Sequence, residues 1–355
     1  MTSRKLRLSS VGFVLLAGLA ACGGGGGDDQ PLKVATIDIT AANRDTVSHA
    51  TAAGILGLSV TGTIPLASGS GGREQPQALG VAPGAGWSGR LLAPLLQPLR
   101  DLGAGRWQLR ERSLAIVGPV VEACAISGST SSSLDDRDGN GLPSLGEVLT
   151  IAFNNCRVTA DETLNGTTLA TITMVSQTPL LSMSMRLTTS QLSDVTTNHS
   201  VTLNGAMLFD YAQTGASTET MKVTADGPVS VAVSTHLGWV DTVTLQSGFV
   251  VQDNYDDSAA PPPGSTMPGR TVSTVRGSFR SSLAGGVVEV ATASGAPLIK
   301  YNAEAYPRSG VVQVNGKNST LQITALSAND VRLDLDADGN GSFELTNTVP
   351  WDWLL

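Results

Sequence analysis

Two stretches of the sequence share the pattern DxDGNG, one beginning at Asp136 and the other at Asp336. In the first stretch Asp136, Asp138 and Asn140 place an oxygen-bearing side chain at every second position, and Gly141 follows. Calcium takes about six to eight oxygen ligands, many of them carboxylates, and a glycine allows the chain to bend sharply around the ion. The two stretches therefore predict calcium sites.

The first stretch continues into a twelve-residue loop that resembles the calcium loop of EF-hand proteins. That loop supplies ligands from its positions 1, 3, 5, 7, 9 and 12, with glycine at position 6. Glu147 stands at position 12, where a bidentate carboxylate belongs. The resemblance implies a ligand set of Asp136, Asp138, Asn140, the backbone carbonyl of Leu142, Ser144 and Glu147.

The flanks of this loop depart from the EF-hand pattern, in which two helices flank the loop. After the loop Leu149, Ile151 and Phe153 occupy every second position, and a serine-rich stretch at 127–133 precedes the loop. Alternation with a period of two is typical of strands. We therefore expect a calcium loop that closes a β-hairpin, without the calcium-sensor role that requires helices to open.

The second stretch matches the same loop less completely. Its position 12 is Asn347, a poor bidentate ligand, and Asp334 on the same strand face is the alternative donor. We predict a weaker calcium site here, and a metal-free turn with an acidic rim is the alternative. The predicted ligands are Asp334, Asp336, Asp338, Asn340 and Glu344.

Motifs for catalysis are absent from the sequence. Three histidines occur, at 49, 199 and 236, and none belongs to an HExxH motif; GxSxG and SxxK are also absent. A GxGxxG match at 84–89 lies in a Gly/Pro-rich stretch with no strand before it, which fails the dinucleotide-binding pattern. We expect a protein that is not an enzyme. A calcium-dependent hydrolase stays open, because two distant carboxylates need no local motif.

The N-terminus has the pattern of a secretion signal. A basic region is followed by an apolar run at 11–21, which is too short to span a membrane. The ending Leu19-Ala-Ala-Cys22 resembles the lipobox of bacterial lipoproteins. The resemblance implies that residues 1–21 are removed and that Cys22 is diacylated. Gly23, rather than Asp, next to it implies the outer membrane. An ordinary cleaved signal is the alternative. Residues 22–30 are glycine-rich and predict a flexible tether.

The charge of the predicted mature chain is strongly negative. Removal of residues 1–21 leaves 19 of the 22 basic residues against 30 acidic ones, a net charge of −11. Such a chain is a poor binder of nucleic acid, because phosphate contacts require clustered Lys and Arg. We expect a membrane contact through the lipid anchor, no nucleic acid, and a protein or apolar ligand that the sequence does not identify.

The two remaining cysteines predict a disulfide. Cys124 and Cys156 form an even pair in an oxidising compartment. A bond between them would close a loop of about 33 residues and stabilise the fold by about 3.7 kcal/mol in the chain-entropy model. Two free thiols or a metal pair are the alternatives, although no CxxC motif supports a zinc site.

The sequence predicts a mainly β fold: a large antiparallel meander over 106–355, as a sandwich or a curved open sheet, after a partly helical segment at 31–105. A helix is expected at 40–53, capped by Thr40 or Asn43. Alternating runs such as Met183-Ser-Met185 predict the strands. Asn-Gly pairs at 165–166, 204–205 and 315–316 predict hairpin turns.

Several segments also resemble uncharacterised proteobacterial outer-membrane lipoproteins with such loops, namely 124–128, 153–156, 331–341 and 351–353. This likeness implies a class and no chemistry. The leading hypothesis is an envelope lipoprotein acting as a binding, adhesion or scaffold module. The alternative is a carrier of lipid or another apolar ligand, with Met183, Met185 and the segment 91–99 lining its pocket.

Overall fold

The computed structural model describes residues 35–58, 118–139, 144–157, 159–176, 180, 182–196, 199–235 and 238–354. The described part is mainly β, with one helix before the strands and one short helix after them. This confirms the predicted fold class. The signal, the tether, the GxGxxG match at 84–89 and the segment at 91–99 lie outside the described residues. Neither described helix has the length and apolar character needed to cross a membrane.

The structure describes seventeen strands, whose bounds are as follows. The first nine are β1 (Val120–Ala123), β2 (Ser127–Leu134), β3 (Val148–Arg157), β4 (Thr163–Ser176), β5 (Ser182–Val195), β6 (His199–Gln213), β7 (Thr218–Ala225), β8 (Val229–Thr235) and β9 (Val240–Leu245). The others are β10 (Val250–Asp256), β11 (Arg270–Ser281), β12 (Gly286–Thr292), β13 (Leu298–Tyr301), β14 (Gly310–Asn315), β15 (Thr320–Ala325), β16 (Asp330–Asp336) and β17 (Leu345–Pro350).

All of these strands belong to one antiparallel sheet. Strands β1 to β6 form a meander in which each pairs with the next. The long strand β6 then pairs with β7 along 207–213 and with β8 along 199–204. Strand β10 pairs with β7, strand β9 pairs with β8, and both also pair with β11. On the other side of β11 lie β12 and β13, followed by β14 to β17.

The sheet buries one face and exposes the other, as the period-two pattern predicts. Met183, Met185 and Leu187 on β5 are each 1% exposed, while Arg186 between them is exposed. Successive residues of a strand point to opposite faces, so these alternate side chains share the inner face. Burying one such side chain stabilises the fold by about 1.5–3 kcal/mol. The core is therefore built from the inner face of the sheet.

Helix α1 (Arg44–Leu58) packs against β8 to β11. It begins four residues later and extends five residues further than predicted. The carbonyl of Asn43 accepts the N–H of Val47 at 2.9 Å, which makes Asn43 the N-cap residue. The helix lies close to the sheet at Gly54, where an added Cβ would lie 3.1 Å from Leu245 Cδ2.

The two ends of the described chain are fixed to the same part of the sheet. In the segment before α1, the N–H of Ile39 donates to Ser319 Oγ at 2.6 Å. After β17, helix α2 (Trp351–Leu354) buries Trp351, whose indole N–H lies 3.1 Å from the carbonyls of Pro307 and Ser327. The described residues belong to one compact unit.

Two of the three predicted Asn-Gly turns are wrong. Asn165-Gly166 lies inside β4 and Asn204-Gly205 lies inside β6. Both pairs lie at β-bulges, where the register with the neighbouring strand shifts. Only Asn315-Gly316 lies at a strand end, before a four-residue turn closed by Gly316 and Ser319. Asn-Gly tolerates positive φ, and a bulge uses this property as readily as a turn does.

The bulges of β3 to β6 are linked by hydrogen bonds from strand to strand. Asn155 and Gln191 have positive φ angles of 44° and 48°. The N–H of Asn155 donates to Asn165 Oδ1 at 2.8 Å, and the N–H of Gln191 donates to Asn204 Oδ1. Bulges bend the strands that carry them. A row of linked bulges therefore bends this part of the sheet along one line.

We predict that Gly166→Ala destabilises the protein by about 2 kcal/mol more than Gly227→Ala. The two glycines have φ angles of 104° and 106°, so both substitutions strain the backbone equally. A Cβ on Gly166 would also collide with the carbonyl of Gln191, whereas nothing lies within 4 Å of one on Gly227. Urea unfolding of the two variants measures the difference. Equal losses of stability would contradict the role of the close strand contact at this bulge.

Candidate metal centres

The first DxDGNG loop joins β2 to β3 and closes a hairpin, as predicted. Leu134 and Leu149 are opposite each other at the end of the ladder. The N–H of Asp135 still donates to the carbonyl of Val148 at 2.9 Å, so the acidic loop starts immediately beyond the last strand bond. The hairpin therefore fixes both ends of the loop. Asn140 and Leu142, two of the predicted ligands, lie outside the described residues.

Three carboxylates converge in this loop. Each of Asp136, Asp138 and Glu147 offers an oxygen, and these oxygens lie within 4.8 Å of one another. Asp136 Oδ1 accepts the N–H of Gly139 at 2.7 Å, which curls the chain around the aspartate. Ser144 is linked to the group through its backbone N–H, which donates to Glu147 Oε2 at 2.8 Å.

Glu147 holds the two arms of the loop together. Its Oε1 accepts the N–H of Arg137 at 2.9 Å, on the opposite arm from Ser144. The residue is only 1% exposed, although it carries a carboxylate. A buried charge is unfavourable unless it is paired or hydrogen-bonded. The two backbone donors meet part of this need, and each carboxylate oxygen keeps a further lone pair for a cation.

The second loop, between β16 and β17, repeats this arrangement. Oxygens of Asp336, Asp338 and Glu344 lie within 4.8 Å of one another. Asp336 Oδ1 accepts the N–H of Gly339 at 2.7 Å, and its Oδ2 accepts the N–H of Gly341 at 2.9 Å. Burial alone would raise the pKa of Asp336, but hydrogen bonds from Gly341, Gly339 and Asn340 lower it below the ordinary value. The loop therefore holds Asp336 as a carboxylate.

The two loops reach the same geometry from different sequence positions. In the first, the glutamate at position 12 accepts the N–H of position 2, Arg137. In the second, Glu344 at position 9 accepts the N–H of position 2, Ala337, at 2.9 Å. Glu344 therefore takes the place in the second loop that Glu147 takes in the first.

The other residues that were considered as ligands of the second loop do not belong to this group of three carboxylates. Asn340 accepts the N–H of Ser342 through Oδ1 at 2.7 Å. Asp334 lies outside the carboxylate group: Arg332 donates to its Oδ2 at 2.7 Å and Thr346 to its Oδ1 at 2.8 Å. Asn347 lies within β17, opposite Leu333. The β16–β17 ladder therefore holds position 12 of this loop away from the three carboxylates.

The donor set of both loops suits a hard cation. All three convergent groups in each loop are carboxylates, which bind calcium or magnesium in preference to softer metals. One oxygen from each of three carboxylates is fewer than the about six to eight oxygens that calcium takes, so backbone carbonyls and water would complete its shell. Such an ion would join the two strands at each loop.

The predicted disulfide is confirmed. Cys124 and Cys156 are bonded, with their Cα atoms 5.4 Å apart. Cys124 does not lie on β2. It directly follows β1, in the turn that leads into β2, and its N–H donates to the carbonyl of Gly128 at 3.2 Å. The disulfide and the acidic loop lie at opposite ends of the β2–β3 hairpin.

In comparisons with protein-family models, curated proteins and solved structures, nothing matches this chain.

Two buried acids away from the loops, Asp241 and Glu219, bind neighbouring polar groups of the fold. Asp241 accepts the hydroxyl of Ser281 at 2.6 Å and the N–H of Leu283 at 3.1 Å, which closes the turn after β11. Glu219 accepts the hydroxyl of Tyr211 at 3.0 Å. Each bond joins an acid to another part of the sheet, as expected for structural groups.

One histidine lies in an aromatic cluster that the sequence did not reveal. The ring of His49 on α1 lies 4.5 Å from that of Trp353 and 5.1 Å from that of Trp239, between centroids. Its Nδ1 lies 3.1 Å from the carbonyl oxygen of Leu354. Burial lowers the pKa of His49 below 6.5, against the opposite effects of the Leu354 carbonyl and Asp45. The cluster ties α1 to the C-terminal helix.

We predict that this cluster makes stability depend on pH. Because the folded pKa of His49 is lower than 6.5, the unfolded chain binds more protons in the interval between the two values. The stabilisation is complete above about pH 6.5 and is lost as the pH falls through the folded pKa. Urea unfolding at pH 7.5 and 5.5, followed by tryptophan fluorescence, should show a larger loss for the wild type than for His49→Gln. Equal losses would contradict this assignment.

Proposed function

We propose that the protein is a calcium-stabilised β-sheet module of the cell envelope, held to the outer membrane through Cys22, with a binding or scaffold role rather than a catalytic one. The observation that carries the proposal is the convergence of three carboxylates in each of two hairpin loops. Calcium is available outside the inner membrane, so a loop of modest affinity can be occupied there. Each ion would join two strands of the sheet.

The positions of the loops support a structural rather than a regulatory role for calcium. Each loop is continuous with a two-strand ladder, at Leu134–Leu149 in one hairpin and Leu335–Leu345 in the other. A calcium sensor needs an element that moves when the ion binds. Strands held in a wide sheet cannot separate without breaking their ladder bonds. Calcium would therefore add to stability and leave the fold unchanged.

The secretory location and the lipid anchor are proposed from the N-terminal sequence. The disulfide supports export, because such bonds persist in oxidising compartments. The carrier hypothesis has less support from the geometry. Met183 and Met185 are buried opposite Tyr211 and Phe209 in the core. An apolar cavity between α1, α2 and β13–β15 has a volume of ≈ 50 Å³, far below the about 300 Å³ of a ligand pocket.

Thermal unfolding in calcium and in EDTA tests the proposed role of the ion. At about 100 times the dissociation constant, one site adds about 2.7 kcal/mol, and for a chain of this size Tm should rise by about 5–10 °C. Glu147→Gln should remove the contribution of the first loop, because the amide places an NH2 donor group where the carboxylate has a ligand oxygen. The same Tm in calcium and EDTA would contradict the proposal.

The second loop is tested by a matched pair of substitutions. Glu344→Gln should reduce the remaining calcium-dependent rise in Tm, since Glu344 is one of the convergent carboxylates. Asn347→Ala should leave that rise unchanged, because Asn347 lies in β17 opposite Leu333. A rise lost in Asn347→Ala and retained in Glu344→Gln would mean that the second loop follows the EF-hand spacing instead.

A further inference from the structure

A groove of ≈ 470 Å³ lies on the outer face of the sheet, over β7, β10 and β11. Val223 and Val251 are buried on the inner face, so their neighbours Lys222 and Gln252 point outward. Ligand pockets commonly have volumes of about 300–1,000 Å³, and this groove is within that range. It lies among strands that carry neither of the acidic loops.

The groove exists because the sheet is interrupted beside β11. Strand β12 pairs with β11 from Arg276 onward, and β13 pairs with it only up to Ser273. Between them Thr274 and Val275 have no strand partner on this side. The hydroxyl of Thr292 accepts the N–H of Val275 at 2.8 Å in place of a ladder bond. The chain at 293–297 leaves the sheet here and forms one wall.

The lining combines two cations with neutral hydrogen-bonding groups. Lys222, Gln252 and Thr274 lie side by side on three neighbouring strands. Arg276 lies one step further along β11, opposite Val250. The described lining residues are Lys222, Val250, Gln252, Val272, Thr274, Val275, Arg276, Ala291, Thr292, Ala293, Ser294, Gly295 and Pro297.

The charge of the groove is opposite to that of the protein. The chain has a formal net charge of −8, yet the charged groups among the described lining residues are a lysine and an arginine. Asp210 lies opposite Lys222 on β6 and accepts the hydroxyl of Ser184 at 2.6 Å. Glu289 lies on the same face of β12 as Ala291, the partner of Arg276. Walls of low dielectric strengthen the field of such cations inside a cleft.

We propose that this groove binds a small hydroxylated organic anion, with its carboxylate or phosphate between Lys222 and Arg276. Arginine and lysine both recognise these oxyanions through charge-assisted hydrogen bonds. The amide of Gln252 and the hydroxyls of Thr274 and Ser294 can bond the neutral hydroxyl groups of the ligand. The apolar floor at Val250 and Val272 contacts its carbon skeleton. The site gives a ligand class to the proposed binding role and depends on that role.

The test is isothermal titration of the purified protein with trigalacturonate, glucose 6-phosphate and neutral maltotriose. We expect binding of at least one of the two anions and none of maltotriose, and the stronger anion distinguishes a carboxylate from a phosphate ligand. Lys222→Gln and Arg276→Gln should each weaken binding by about tenfold or more, the effect of one lost charge-assisted contact. Added salt should weaken it too.

Arg280→Gln is the matched control. Arg280 is exposed on the same strand and face, opposite Val287 and Thr244, and it does not line the groove. The substitution removes the same charge and should leave affinity unchanged. The proposal is overturned if neither anion binds below about 10 mM, or if Arg280→Gln weakens binding as much as the groove variants do.

The titration is done in calcium and again in EDTA, with folding checked by circular dichroism. Anion binding that persists while Tm does not respond to calcium would contradict only the calcium proposal. A calcium-dependent Tm without anion binding would contradict only the groove. Binding in both solutions with loss in both groove variants is the expected result.

Discussion

The fold depends on the burial of one face of a single wide antiparallel sheet. Among the described residues, the helices α1 and α2 are the regular elements outside the sheet, and α1 packs against β8 to β11. The linked bulges at Asn155, Gly166 and Gln191 bend the sheet across β3 to β5. The asparagine side chains at 165 and 204 satisfy the N–H groups that the bulges remove from the ladder.

A second consequence of the wide sheet is the exchange of partners along its long strands. Both β6 and β11 pair with two shorter strands on one side, and β11 does so on both sides. At Gly277 on β11 an added Cβ would lie 2.6 Å from Phe249 Cα, so only glycine fits where β10 gives way to β9. The anion groove arises at another such exchange, where β12 gives way to β13.

The hairpin β2–β3 shows how covalent and electrostatic constraints complement each other. Its strand β2 carries many small polar residues, such as Ser131, Ser132 and Ser133, which bury little apolar surface. The disulfide joins one end and the acidic loop lies at the other. A cation at Glu147 would compensate the charge that the fold buries there. The second acidic loop joins β16 to the edge strand β17, whose first four residues are exposed.

The sequence alone determined the features that depend on local pattern. Period-two alternation predicted the strand-rich fold, and the even cysteine pair predicted the disulfide. The spacing of Asp136, Asp138 and Glu147 predicted the first acidic loop. The three Asn-Gly pairs were ambiguous signals. Asn-Gly favours positive φ whether a turn or a bulge uses it, so the bulges at 165–166 and 204–205 were predicted as turns.

Tertiary structure decided what depends on distant strands. The register of β16 and β17 removes Asn347 from the second loop and leaves Glu344 in the position of Glu147. The two cations of the groove, Lys222 and Arg276, are far apart in sequence. The same is true of His49 and the two tryptophans around it. Only the pairing and bending of the sheet bring them together, and no local spacing records that.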